Sequence, residues 1–174
     1  MPYLTCSSCG LATYIVSEGA CPTCGTALRR TSPPVGPRPA ESAADEHVRA
    51  KLAMARRELG ADTALLTEVR GGREHIRWQE GEGQYQGRAV PLSDTICDRL
   101  LNGEIGPVVA DVHAEPALRG VQAGDVRAYI GVPFSTADAR AYVLCCLAHE
   151  VRPDLGPADV RFLQGLVESL RPVL

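Results

Sequence analysis

Apolar positions concentrate late in the chain. Residues 128–134 (AYIGVPF) and 141–148 (AYVLCCLA) are two strand-length apolar runs separated by the short polar segment STADAR. They read as a hairpin. Runs apolar on both faces need cover on both faces, so this hairpin is expected to cross the middle of a sheet. Upstream, residues 62–70 and 73–80 read as two further strands joined by Gly71-Gly72, a tight-turn signal. Leu65, Thr67 and Val69 are expected on one face of the first, and Ile76 and Trp78 together on one face of the second.

Helical periodicity appears three times. Residues 43–59 carry Ala44, Val48, Leu52, Ala55 and Leu59 on one stripe. Ser42 and Asp45 have capping-box spacing there, and Gly60 stands at the C-terminal end. Residues 94–102 follow Ser93 as cap and place Ile96, Cys97, Leu100 and Leu101 inward. Residues 157–171 open with Pro157 and Asp159 and carry Val160, Leu163, Val167 and Leu170. Between the second helix and the hairpin, residues 107–112 (PVVADV) read as a short strand and 113–125 as irregular. The glycine-rich stretch 81–86 lacks the phosphate-loop pattern and is read as a plain loop.

The first 41 residues have a different character. Cys6-Ser-Ser-Cys9 and Cys21-Pro-Thr-Cys24 form two C-x2-C turns eleven residues apart. Two such turns supply four thiolates with the bite that a tetrahedral zinc requires. Residues 11–17 between them have strand character. A segment this small buries no core, so metal binding would supply its folding energy. Four free or redox-active cysteines form the alternative reading, though a redox C-x-x-C ordinarily comes as one pair beside a βαβ pattern. The motif resembles a zinc ribbon with rubredoxin-like knuckles, which implies one zinc per chain and leaves iron as a lesser option. Residues 31–41 (TSPPVGPRPAE) hold four prolines without apolar periodicity, a stiff extended linker. The expected organisation is a zinc ribbon at 1–30, a linker at 31–41 and a larger domain at 42–174.

Charge and composition narrow the function. The 174 residues carry a net charge of −3 and an apolar content of 45%. That is no polyanion-binding surface overall. Three arginines against Glu18 give residues 1–40 a charge of only +2, with no basic residue between Leu4 and Leu28. No apolar run approaches the length of a membrane span, and the N-terminus lacks a signal-peptide pattern. A cytoplasmic protein is expected, in which seven cysteines are not a disulfide framework.

The stretches SDTICDRLLNGEIGPVVADVHAEPALRG, VRAYIGVPF and RAYVLCCLAHEVRPDLGPADVRFLQGL together resemble the GAF domain of bacterial signalling proteins. The resemblance covers about residues 45–174. It implies an α+β fold with a central antiparallel sheet flanked by helices on both faces. It also implies a small-molecule pocket between the sheet and residues 93–125, and a homodimer formed through the first and last helices. Where the family usually has Tyr-Gly-Thr-Leu-Cys, this chain has Tyr142-Val143-Leu144-Cys145-Cys146. Neither the cyclic-nucleotide signature, the Cys-His pair of tetrapyrrole-attaching members, nor the cysteine pattern of the free methionine sulfoxide reductases is recognisable.

Candidate pocket residues are Trp78, Cys97, Asp111, Tyr129 and Cys145. Trp78 and Tyr129 read first as core aromatics, and Cys97, Cys145 and Cys146 as small core side chains, with Cys145 and Cys146 facing opposite ways. Asp111 either orients polar groups in the pocket or caps the turn that follows. His113 and His149 read as loop or strand-end residues, and His47 and His75 as surface positions. No pair of histidines shares metal-ligand spacing with a carboxylate, so no second metal site is expected. No nucleophile–base–acid set is visible. A non-enzymatic sensor or interaction protein is therefore expected, with the ribbon docking on a protein partner. The alternatives are a nucleic-acid-binding regulator acting through the ribbon, and a thiol redox sensor or reductase using Cys97, Cys145 or Cys146.

Overall fold

The computed structural model describes residues 43–174 in full, together with the backbone of four short strands near the N-terminus. The chain divides into two compact units, Met1–Ala40 and Glu41–Leu174. In the first, β1 (Tyr3–Thr5) pairs antiparallel with β2 (Ala12–Tyr14), and β3 (Gly19–Ala20) pairs antiparallel with β4 (Ala27–Leu28). Cys6, Cys9, Cys21, Cys24, the proline-rich linker and Ser42 lie outside the described residues.

The second unit is built on one antiparallel sheet. Its strands are β5 (Thr63–Arg70), β6 (Arg73–Gly81), β7 (Ala89–Pro91), β8 (Val108–Val109), β9 (Ala128–Ser135) and β10 (Ala141–Ala148). Their order is β7-β6-β5-β10-β9-β8, so the expected hairpin does run through the middle. β10 pairs along its length with both β5 and β9. Gly71 and Gly72 both have positive φ, as a two-residue turn between twisted strands requires.

Alternation along β10 sends successive side chains to two separate cores. One holds Leu144 and Cys146 with Leu66 and Ile130, beneath α1 (Ala43–Glu58) and α3 (Pro157–Leu170). Val48, Leu52 and Ala55 of α1 and Leu163, Val167 and Leu170 of α3 are buried there. Leu166, absent from the expected stripe, is buried with them, and Val160 is only half-buried. His47 is also half-buried, its ring Nε2 3.2 Å from the Ser169 carbonyl. Both apolar stripes are thus consumed inside the unit.

The other core holds Leu65, Tyr129, Val143, Cys145 and Leu147, covered by α2 (Ile96–Leu101) and the segment 105–126.

Several boundaries differ from expectation. Thr95, not Ser93, caps α2: its backbone is extended and its hydroxyl accepts the Asp98 N–H at 3.2 Å. Leu92–Asp94 form a separate 3-10 turn, and Leu101 is 39% exposed rather than inward. The expected strand at 107–112 shrinks to Val108–Val109. Pro107 has no N–H to give to a ladder.

The largest correction concerns β6. The pairing steps from Leu66↔Trp78 to Thr67↔Ile76, so Arg77 is an extra residue opposite a single step of β5. This bulge reverses the facing of the strand at that point. Ile76 joins the core beneath α2, whereas Trp78 packs on the α1 side. There its indole N–H donates to Asp45 Oδ1 at 2.8 Å, tying β6 to the first helix. Asp45, expected to form a capping box with Ser42, thus receives a tryptophan, while Ser42 lies outside the described residues.

Candidate functional site

A cavity of about 650 Å³ opens between the sheet and the segments that precede and follow α2. That volume suits a small organic ligand. Leu65, Ile76, Tyr129, Cys145 and Leu147 come from the sheet; Ile96 and Cys97 come from α2, and Val126 from the connection into β9. Of the five residues expected in a pocket, Cys97, Tyr129 and Cys145 line this cavity. Trp78 does not, because the bulge at Arg77 turns it to the other face.

Asp111 does not line it either. Its carboxylate accepts from Arg127 Nη2 at 3.2 and 3.3 Å and from the His113 N–H at 3.1 Å. Partial burial works against its charge, but the His113 N–H and Arg127 outweigh that and hold its pKa below the usual range. Of the two roles considered for it, the turn-closing one describes this geometry. His113 is exposed on the same turn.

Tyr129 is 1% exposed and lies flat along its own strand. It can do so because residue 131, two positions on and on the same face, is glycine. A Cβ there would sit 2.2 Å from the tyrosine oxygen and 2.7 Å from Cζ. The hydroxyl instead reaches Cys97 Sγ at 3.4 Å. The cavity floor is thus a packed cluster of Tyr129, Cys97 and Cys145.

None of these groups is poised to ionise. The hydrogen bond with Cys145, then burial, pushes the Cys97 thiol well above its ordinary pKa. For Cys145 the bond with Cys97 works downward, but burial and Glu74 carry the thiol upward. Burial, then the neighbouring Cys97, raises the Tyr129 phenol strongly. Cys146, on the opposite face, is pushed up to about 12 by burial alone. All three thiols are free, buried and protonated at neutral pH, whereas nucleophilic cysteine chemistry runs through the thiolate.

Two features escaped the sequence reading. The first is Glu74, on β6 one alternation before Ile76, which lines the cavity and is only 5% exposed. Its parity with Ile76 was the available signal.

The second is a charged cluster at one end of the sheet. His149 Nδ1 lies 4.0 Å from Asp62 Oδ2 and 3.9 Å from Glu82 Oε2, and its Nε2 lies 3.7 Å from Asp125 Oδ2. Asp62 is fixed by accepting the His149 backbone N–H at 2.7 Å. The three ligand atoms of Asp62, Glu82 and His149 fall within 4.8 Å of one another, a grouping with one histidine that sequence spacing did not show. The carboxylates are open to solvent, and a solvated charge cluster accounts for the arrangement. No helix of the described residues is long and apolar enough to cross a membrane.

No protein-family model matches the sequence, and no curated protein matches it either. Solved structures do match in three dimensions. The free methionine-R-sulfoxide reductase from Neisseria meningitidis, solved with its substrate, superposes with a TM-score of 0.60 at 17% identity, covering 76% of this chain and 79% of that one. The GAF-B domain of DevS from Mycobacterium smegmatis gives 0.57 at 14%, covering 75% and 91%. A phycoerythrobilin-bound GAF domain from a cyanobacterial phytochrome gives 0.60 at 15%, covering 76% and 86%. At these identities the likeness concerns the fold. The six-stranded antiparallel sheet with helices on both faces is the GAF-like α+β fold.

Proposed function

We propose that this protein is a non-catalytic sensory or regulatory protein whose GAF-fold unit binds a small molecule. The observation that carries the reading is the cavity of about 650 Å³, walled mainly by apolar side chains and floored by thiols and a phenol held neutral. Cys97 and Cys145 line the cavity with no histidine among the other lining residues to activate them. The neighbouring structures named as signalling or pigment-bound GAF domains support the same reading.

In this proposal Cys6, Cys9, Cys21 and Cys24 hold one zinc per chain, and the ribbon docks on a protein partner in the cytoplasm. A homodimer through α1 and α3 would have to use their outer, polar faces, since the apolar stripes are already buried. Native mass spectrometry of the full chain, purified without chelator, tests the scheme. One zinc per chain, a dimer and an additional small-molecule mass are expected. A metal-free chain would overturn the ribbon assignment.

A second reading, a thiol redox sensor or reductase, is favoured by one observation: two free thiols, Cys97 and Cys145, line the same cavity. Thiol labelling of the native protein separates the two. Unreactive Cys97, Cys145 and Cys146 support the sensor, and fast labelling of Cys97 or Cys145 supports redox chemistry. The nucleic-acid alternative rests on the +2 charge of residues 1–40 alone. It predicts DNA binding that weakens steeply with salt.

A further inference from the structure

Glu74 is the one acidic side chain deep in the cavity wall. It is 5% exposed, and among the described residues it makes no hydrogen bond and no ion pair. The contrast with Glu68 is direct. Glu68 is equally buried on the neighbouring strand, but Arg77 Nη1 stands 3.1 Å from its carboxylate.

Buried carboxylates are ordinarily paired, because an unpaired one gives up its hydration for nothing. The protein groups around Glu74 provide no such partner, and its carboxylate oxygens stay open to the cavity. Tyr129, Cys97 and Cys145 are neutral, and each has its pKa raised by the nearby Glu74 charge. The single arginine of the cavity lining, Arg88, is exposed. Leu65, Ile76, Val126 and Leu147 give the cavity apolar walls, and its further polar lining, Asp94, Thr95 and Gln122, carries no positive charge.

We propose that the cavity takes an organic cation, a protonated amine or amidinium on an apolar body, whose charged group is received by the Glu74 carboxylate. This rests on the sensor reading and names the chemical class of its ligand. The apolar body would lie against Ile76, Val126 and the Tyr129 ring. An ammonium near that ring also gains from the negative face of the phenol.

The test compares three probes of one shape by calorimetric titration into the full chain: 2-phenylethylammonium, 2-phenylethanol and 3-phenylpropionate. The ammonium is expected to bind about tenfold or more tightly than the alcohol, a difference of about 1.4 kcal/mol or more, with the propionate weakest. In Glu74→Gln the ammonium and the alcohol should bind alike, with the alcohol unchanged from wild type. The same variant should melt at or above the wild-type temperature, because an unpaired buried charge has been removed without changing shape.

Equal binding of ammonium and alcohol to the wild type would overturn the cation assignment while leaving a small-molecule site standing. No binding of any probe would overturn the assignment and count against the sensor reading with it. Loss of all binding in Glu74→Gln, together with a lower melting temperature, would make Glu74 a structural residue and overturn the proposal.

Discussion

Replacing Gly131 by alanine tests how the cavity floor is built. The new methyl group would fall 2.2 Å from Tyr129 Oη, 2.7 Å from Cζ and 2.9 Å from Cε1. The glycine is on a strand paired on both sides and the tyrosine is 1% exposed, so the backbone is held and the ring can yield only toward the cavity. The ring must tilt off the sheet into the cavity and give up its contact with Cys97. Overpacking of this kind costs about 1–3 kcal/mol. Alanine also suits a strand better than glycine by about 0.5–1 kcal/mol, so a measured loss understates the clash.

A net loss of about 2 kcal/mol would lower the melting temperature by roughly 6–8 °C in a unit of this size. Urea denaturation of Gly131→Ala, Tyr129→Phe and the double variant gives the coupling between the two residues. Deleting the hydroxyl removes the nearest collision but leaves Cζ and Cε1, so partial rescue is expected, with a coupling of about 1 kcal/mol. If Gly131→Ala stays within about 0.5 kcal/mol of wild type, or the two changes simply add, the flat packing of Tyr129 over Gly131 is wrong.

Three other outcomes follow. Trp78→Phe should lose about 1–2 kcal/mol in urea denaturation through the missing bond to Asp45, and combining it with Asp45→Ala should cost less than the sum of the two. Alkaline pH should destabilise the fold. A thiol whose folded pKa is raised contributes fully below its unfolded value of about 8.5 and loses that contribution as pH rises toward the folded one. For Cys146, raised to about 12, the loss runs over that window at about 1.4 kcal/mol per pH unit. Melting curves of Cys146→Ala should therefore fall less steeply with pH than those of wild type. Finally, Cys9→Ser should remove zinc from the full chain, read by metal analysis, and leave the melting transition of the GAF-fold unit in place, because that unit has its own two cores.

The hairpin was legible because both its strands are apolar on both faces, a pattern few other elements share. The two long helices were legible from their stripes, although periodicity could not say that both stripes face the same sheet. Trp78 was misread because H-I-R-W alternates like a regular strand, and nothing local announces an extra residue at Arg77. The cap of α2 was misplaced for a related reason. Ser93, Asp94 and Thr95 are all competent caps, and only the 3-10 turn at 92–94 selects the last.

Glu74 sat in the inward phase of β6, yet a charged residue beside a turn reads by default as solvent-facing. The cluster of Asp62, Glu82 and His149 could not be read at all. It joins a strand entry, a loop and a strand end that only the tertiary fold brings together. Of the pocket, the three residues on α2, β9 and β10 were within reach of pattern reading. The residue that would choose the ligand was not.

The most direct test of the central claim is a methyl NMR titration of the full chain with 2-phenylethylammonium. Ile76, Val126 and Leu147 report on the cavity, while Leu52 and Leu163 sit in the opposite core as internal controls. The account predicts saturable shifts confined to the first three. Shifts confined to the helix-covered core, or no saturable shift at Ile76, Val126 and Leu147, would contradict it.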